Sequence, residues 1–118
     1  MLTIPADKTL FVYTQPVDMR KAVDGLVAIL VESFNQNPQS GDLYLFVNRQ
    51  RNKIKCLCWD DNGFVLYYKR LEKGRFNYSR YLQEDKLVIS PQQLKALLMG
   101  LDFYLLGHFK GEKYADFF

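Results

Sequence analysis

Hydrophobic positions along the chain follow two periods. Met19, Val23, Leu26, Val27, Leu30, Val31 and Phe34 recur at helical spacing and predict one long amphipathic helix over about 19–34. Asp18 stands where a helix cap belongs, and Gly25 falls inside the pattern, where it predicts a close packing contact. Upstream, Thr9–Thr14 is β-branched and aromatic and predicts a short strand ended by Gln15-Pro16. Three further segments, Asp42–Asn48, Lys53–Asp60 and Phe64–Leu71, predict strands. Arg49–Asn52 links the first two, and Asp61-Asn62-Gly63 marks a tight hairpin between the last two, because Asn-Gly tolerates positive φ.

Alternation fixes the expected register. Placing Asn48 opposite Lys53 sets Val47, Leu45 and Leu43 against Ile54, Cys56 and Cys58 on one apolar side, whereas a slip of one residue mixes the sets. Placing Asp61 opposite Phe64 adds Val65, Tyr67, Lys69 and Leu71 to that side. The apolar side is expected to be the core under the 19–34 helix. The other side carries Tyr44, Phe46, Leu57, Trp59, Phe64, Leu66 and Tyr68, with Lys53, Lys55 and Arg70 toward one end. Later, Asn77–Asp85 reads as irregular and Lys86–Ile89 as a short strand. Ser90-Pro91-Gln92-Gln93 is a capping-box start for a shorter C-terminal helix over about 91–101. The expected fold is α+β, an antiparallel β-meander of three to five strands with two helices. The expected domain spans 1–103, and 104–118 is a tail, loose or docked on a partner.

Composition narrows the class. The chain has 118 residues, 48% hydrophobic and 25% charged, in the range of one folded domain. No apolar run approaches the roughly 20 residues that span a bilayer. Asp7 and Lys8 interrupt what a secretory leader would keep apolar, so a cytoplasmic setting without a membrane is expected. The two cysteines, Cys56 and Cys58, and the single His108 offer no zinc-site spacing, and neither a metal nor a cofactor is expected. The cysteines fall on the core side and read as small buried hydrophobes.

The net charge of +3 divides unevenly: −2 over residues 1–48, +6 over 49–80 and −1 over 81–118. The expected hairpins bring the middle set to one end of the sheet. Arg49, Arg51, Lys53, Lys55, Lys69, Arg70, Lys73 and Arg75 are therefore the candidates for phosphate contacts. Tyr44, Phe46, Trp59, Tyr68 and Phe76 are the candidate surfaces for stacking on bases or for a protein partner. Against these stands a plain solvated rim, with the aromatics covered by the second helix or the tail. A metal-dependent nuclease built on Asp60, Asp61 and Glu72 with Lys69 or Lys73 meets a geometric objection. The first two precede a turn, and Glu72 falls at the opposite end of the expected sheet.

Three segments carry a family resemblance: DMRKAVDGL (18–26), GDLYLFVNRQRNKIKCL (41–57) and WDDNGFVLYYKRLEKGRF (59–76). They resemble the TnpB accessory protein encoded by the second reading frame of the insertion sequence sixty-six family of bacterial mobile elements. The match runs from Thr9 to about Asp102. Its motif positions here include Asp18, Arg20, Lys21, Asp24, Gly25, Asp60, Gly63, Glu72 and Gly74, besides the basic and aromatic residues of the third segment. The resemblance implies a non-enzymatic accessory role in DNA transposition, beside a separate transposase, and brings no catalytic residues. The implied partners are DNA and the transposase of the same element. The alternative is a protein-interaction module that docks on the transposase or on a second copy without touching DNA.

Overall fold

The computed structural model describes residues 2–77 and 85–101. Five strands and two helices follow in the order β1 (Leu10–Tyr13), α1 (Val23–Glu32), β2 (Leu43–Val47), β3 (Lys53–Asp60), β4 (Gly63–Arg70), β5 (Lys86–Ile89) and α2 (Pro91–Leu98). They build one sheet with spatial order β4-β3-β2-β1-β5. The α+β expectation holds, but the meander is confined to β2–β4. β1 runs parallel to β2, with Leu10 beside Leu43 and Tyr13 beside Phe46. The sheet is therefore mixed. The cause is α1: a helix between two neighbouring strands returns the chain to its starting end, which makes the second strand parallel to the first.

The expected β2–β3 register is the observed one, with Leu43 opposite Cys58, Leu45 opposite Cys56 and Val47 opposite Ile54. In the β3–β4 hairpin the expected pairing of Asp61 with Phe64 is off by two residues. Asp60 pairs with Gly63 and Trp59 with Phe64, and the positive φ of the turn falls on Asp61 (59°). A slip of two leaves every side chain on its expected face, so the alternation could not detect it.

Each face has its own core. On one face Leu10, Val12, Leu43, Leu45, Val47, Ile54, Cys56 and Ile89 pack with Phe76 and with Leu94, Ala96, Leu97 and Leu98 of α2. On the other, Tyr13, Tyr44, Phe46 and Leu57 pack with Leu26 and Leu30 of α1. This reverses the expected cover. The long-range partner of α1 is the aromatic face, and the aliphatic face belongs to α2. Rings fill the aromatic side closely: Tyr13 lies 4.0 Å from Phe34 and 5.4 Å from Phe46, centroid to centroid, and Phe11 stacks on Tyr44 at 5.6 Å.

Both helices are shorter than expected. α1 starts after Ala22, not after Asp18, because the Asp18 carboxylate is engaged one turn early. It accepts from the Arg20 backbone N–H (2.9 Å) and pairs with the Arg20 guanidinium (2.6 Å), while Lys21 N–H bonds the Asp18 carbonyl. Met19 and Phe34 lie outside the helix yet still pack on its cluster, whereas Val31 is half exposed and leaves the predicted stripe. A Cβ at Gly25 would come within 3.1 Å of the Lys21 stem, so the close contact expected there is with the approach to the helix. α2 has the predicted capping box, Ser90 Oγ accepting from Gln93 N–H and the Gln93 side chain from Ser90 N–H. It stops at Leu98 because Gly100 turns left-handed (φ 77°), with Gly100 N–H on Leu97 O and Leu101 N–H on Ala96 O. Residues 78–84, the tail 104–118, Arg80 and His108 lie outside the described residues.

The β2–β3 turn hangs on Asn48, a buried polar side chain. Its Oδ1 accepts from the backbone N–H groups of Asn52 and Lys53, both at 3.0 Å, and its Nδ2 donates to Asn52 Oδ1 at 2.7 Å. Its own N–H bonds Lys53 O, and its carbonyl receives Arg51 N–H, with Arg51 in the left-handed region (φ 59°). Phe76 N–H then bonds Arg51 O, and Leu71 N–H bonds Asn52 O, so the segment after β4 is tied to the same turn.

Two stability outcomes follow. Phe46→Ala empties a fully buried site between α1 and the sheet, and the unfolding free energy should fall by about 3–5 kcal/mol in urea titration. Asn48→Ala strips two backbone donors of their acceptor and should cost about 1–3 kcal/mol, whereas an exposed control such as Gln39→Ala should cost little.

Candidate functional site

The end of the sheet that holds the β2–β3 turn also holds a groove of about 500 Å³ on the α1 side. Its walls are Pro16–Arg20 on one side and Asn48, Arg49, Gln50, Lys53 and Tyr68 on the other. The sequence forms it simply. Pro16 ends the extended run after β1, Val17 N–H ties the departing chain to Val47 O at 2.9 Å, and α1 begins only at Val23. The segment between is held off the sheet, leaving a trough.

Lys55 sets the width of that trough. Its ammonium donates to Met19 O and Lys21 O, each at 2.8 Å, and lies 5.5 Å from the centroid of the Tyr68 ring. One cation thus satisfies two carbonyls of the segment before α1 and backs an aromatic ring. The phosphate role expected of Lys55 is displaced by this one. Lys69 is likewise engaged, its ammonium donating to Leu98 O at 2.7 Å. A cation at a helix C-terminus meets unpaired carbonyls and the negative end of the dipole. Lys69 points to the α2 face, away from the groove.

The remaining expected cations divide by accessibility. Lys53 sits opposite Arg70, so both project on the groove side. Arg70 pairs with Glu72 at 2.9 Å and Arg20 with Asp18 at 2.6 Å, and these pairs hold both guanidinium groups firmly protonated. The Arg20 guanidinium and N–H in turn push the Asp18 carboxyl down to about 2. Among the described residues neither Arg49 nor Lys53 has a carboxylate partner. Arg51 is half buried and acts through its backbone, and Lys73 and Arg75 are exposed on the segment that crosses from β4 to the α2 face. The convergence read from the sequence is therefore real only as an end of the molecule. On the groove itself it reduces to Arg49 and Lys53, with Arg20 contributed from the facing wall and Arg70 beside Lys53 on the neighbouring strand.

The aromatic set also divides. Tyr44, Phe46 and Phe76 are fully buried and have no face to offer a base or a partner. The alternation puts Tyr44 and Phe46 on the side opposite the aliphatic core, and α1 covers that side; Phe76 packs on the α2 side instead. Trp59 packs edge-on against Phe64 (4.9 Å) near the β3–β4 turn, at the far end from the cations. Tyr68 alone of the five stands in the groove, half exposed. Asn48 is a site residue that the sequence pattern does not single out. Arg20 is expected as a motif position, and its place across the trough from Arg49 depends on the chain path after Pro16.

The acidic residues do not assemble. Asp60 and Asp61 stand at the β3–β4 turn and Glu72 beyond the other end of β4, and among the described residues no three His, Cys, Asp or Glu side chains could hold a metal ion. Burial pushes the Cys56 thiol up, and burial followed by Asp60 and Asp42 raises Cys58, which donates to Gly41 O at 3.5 Å. Neither is activated as a thiolate. Gly74 (φ 78°) turns the chain after β4, and Asp24 is exposed in the first turn of α1. No helix among the described residues is long and apolar enough to cross a membrane.

The comparisons with known proteins cover most of this chain. The family described as IS66 Orf2-like protein matches residues 8–106. Two proteins of Sinorhizobium fredii, both named as uncharacterized, are similar along most of their length. One, y4jC, is 34% identical over 94 residues, 80% of each chain. The other, y4hO, is 32% identical over 103 residues, covering 87% of this chain and 89% of its own. No solved structure matches. The matched span contains every element of the sheet and both helices, and the chain belongs to the IS66 Orf2-like family, whose role is accessory to transposition.

Proposed function

We propose that the protein serves transposition by binding nucleic acid in the groove beside the β2–β3 turn. Arg49, Lys53 and Arg70 hold backbone phosphates there, and Tyr68 presents its half-exposed ring to a base. The observation that supports this is the pairing of unneutralised cations with an open aromatic face. Among the described residues Arg49 and Lys53 lack carboxylate partners, and they line the same trough as Tyr68. Phosphates displace condensed counterions onto such groups, and an unpaired base stacks on such a ring. Lys73, Arg75 and Arg51 extend the positive surface around the same end, while Lys55 ties the segment before α1 in place. The transposition machinery is the setting in which the bound nucleic acid would be used.

Binding of element-end DNA, single- and double-stranded, should weaken linearly in log–log salt titration. Removing both Arg49 and Lys53 as Ala variants should make the slope shallower by roughly one per lost contact. Absence of binding to either form at low salt overturns the reading. Tyr68→Ala should cost single-stranded binding about 1–3 kcal/mol while leaving the salt slope in place. Equal loss on single and double strands would remove Tyr68 from the base-stacking role.

A further inference from the structure

The two edges of the sheet differ. β5 has four residues and carries Lys86, a short and charged edge. β4 has eight residues, and its outer side meets no strand among the described residues. From Gly63 to Tyr68 it carries no charge and no proline, and Val65 and Tyr68 are half exposed. A long uncharged edge with free N–H and C=O groups is a template for another strand, and proteins that leave one usually pair it.

The charges at the ends of β4 select the occupant. The turn end is acidic, with Asp60 and Asp61, and the exit end is net basic, with Lys69, Arg70 and Lys73 outweighing the Glu72 that pairs with Arg70. A parallel neighbour with the same polarity would set like charges side by side. An antiparallel copy sets the acidic turn of each strand beside the basic end of the other. We infer that the protein forms a two-fold dimer in which β4 pairs antiparallel with β4 of a second copy, extending the two sheets into one. Setting Leu66 opposite itself puts Phe64 opposite Tyr68 of the second copy and Val65 opposite Tyr67 of the second copy. All of these are apolar or aromatic pairs on matched faces. The same pairing brings the Asp60–Asp61 turn of each copy to the Lys69–Arg70 end of the other, with Asn62 opposite Arg70 and Asp61 opposite Leu71 of the second copy.

The axis is perpendicular to the joined sheet, so both α1 layers lie on one side of it. Both grooves then face the same way, one toward each end of the paired strands. Two binding sites on one face engage one nucleic acid with an affinity that neither site has alone. The dimer itself rests on strand pairing and does not depend on the groove being occupied.

Sedimentation velocity of the full chain across a wide range of concentration tests it without DNA. The wild type should show a monomer–dimer equilibrium. Val65→Lys, at a half-exposed edge position, should raise the dimer dissociation constant about tenfold or more, with circular dichroism and urea midpoint little changed. Asp61→Lys and Arg70→Asp should each weaken the dimer, and the double variant should recover it. A chain that stays monomeric throughout overturns the inference, as does a dimer indifferent to Val65→Lys and to the charge exchange. A monomer that binds the transposase in a Val65-dependent way would assign the edge to that protein and equally overturn it.

Discussion

The parallel pairing of β1 with β2 is the constraint on which the rest depends. It exists because α1 intervenes between them, and it drives β2 to the middle of the sheet, where all five of its residues are buried. A strand buried on both faces needs cover on both faces. α1 supplies one layer over Tyr13, Tyr44 and Phe46, and α2 with Phe76 supplies the other over Leu45, Val47 and Ile54. Most aromatics among the described residues are consumed by this requirement. Among those residues Trp59 and Tyr68 are left, at opposite ends of the β3–β4 ribbon.

That allocation explains how the basic residues come to have different tasks. Lys55 and Lys69 lie on strands next to chain segments with unpaired carbonyls, and each ammonium, a compact donor on a flexible stem, reaches them. Arg49 and Lys53 flank a turn whose backbone is already satisfied by Asn48, so their heads remain free for solvent or a ligand. A cluster of cations in sequence is thus a mixture of scaffold and surface. Only the carbonyls nearby decide which is which.

Much of this was legible in the residues, and the limits have physical causes. Alternation in DLYLFVN and KIKCLCWD fixed the β2–β3 register, because a slip of one would have buried Lys53 and Lys55 among aliphatics. The capping box at Ser90 fixed the start of α2. The cover of each face was not legible, because both faces of β2 are apolar and a helical stripe fits either. The two-residue slip at the hairpin conserved the faces and so left no trace. Helix ends were lost to competing local bonds, at Asp18 by its pairing with Arg20 and at Gly100 by a left-handed turn. The site followed the same pattern: the end of the sheet was legible, and the groove was not. The trough depends on the path of the segment Pro16–Lys21, which Val17 ties to Val47 and Lys55 ties to β3.

β4 joins the two surfaces of the molecule. Its even-numbered residues Leu66, Tyr68 and Arg70 project toward the α1 side, while its outer backbone edge faces open space among the described residues. Among the described residues Tyr68, which lines the groove, and Arg70, next to its Lys53 wall, thus sit on a strand hydrogen-bonded to a neighbour on one side only. An edge strand frays more readily than a central one, because each residue has half the ladder to hold it. Pairing β4 on its free side would fix the backbone beneath Tyr68 and Arg70 and set Phe64 of the second copy beside the Tyr68 ring. The groove would gain order before any ligand arrived, and the ordering cost of binding would fall accordingly. Self-association at the edge and binding in the groove thus favour each other through one strand, with no movement required elsewhere in the fold.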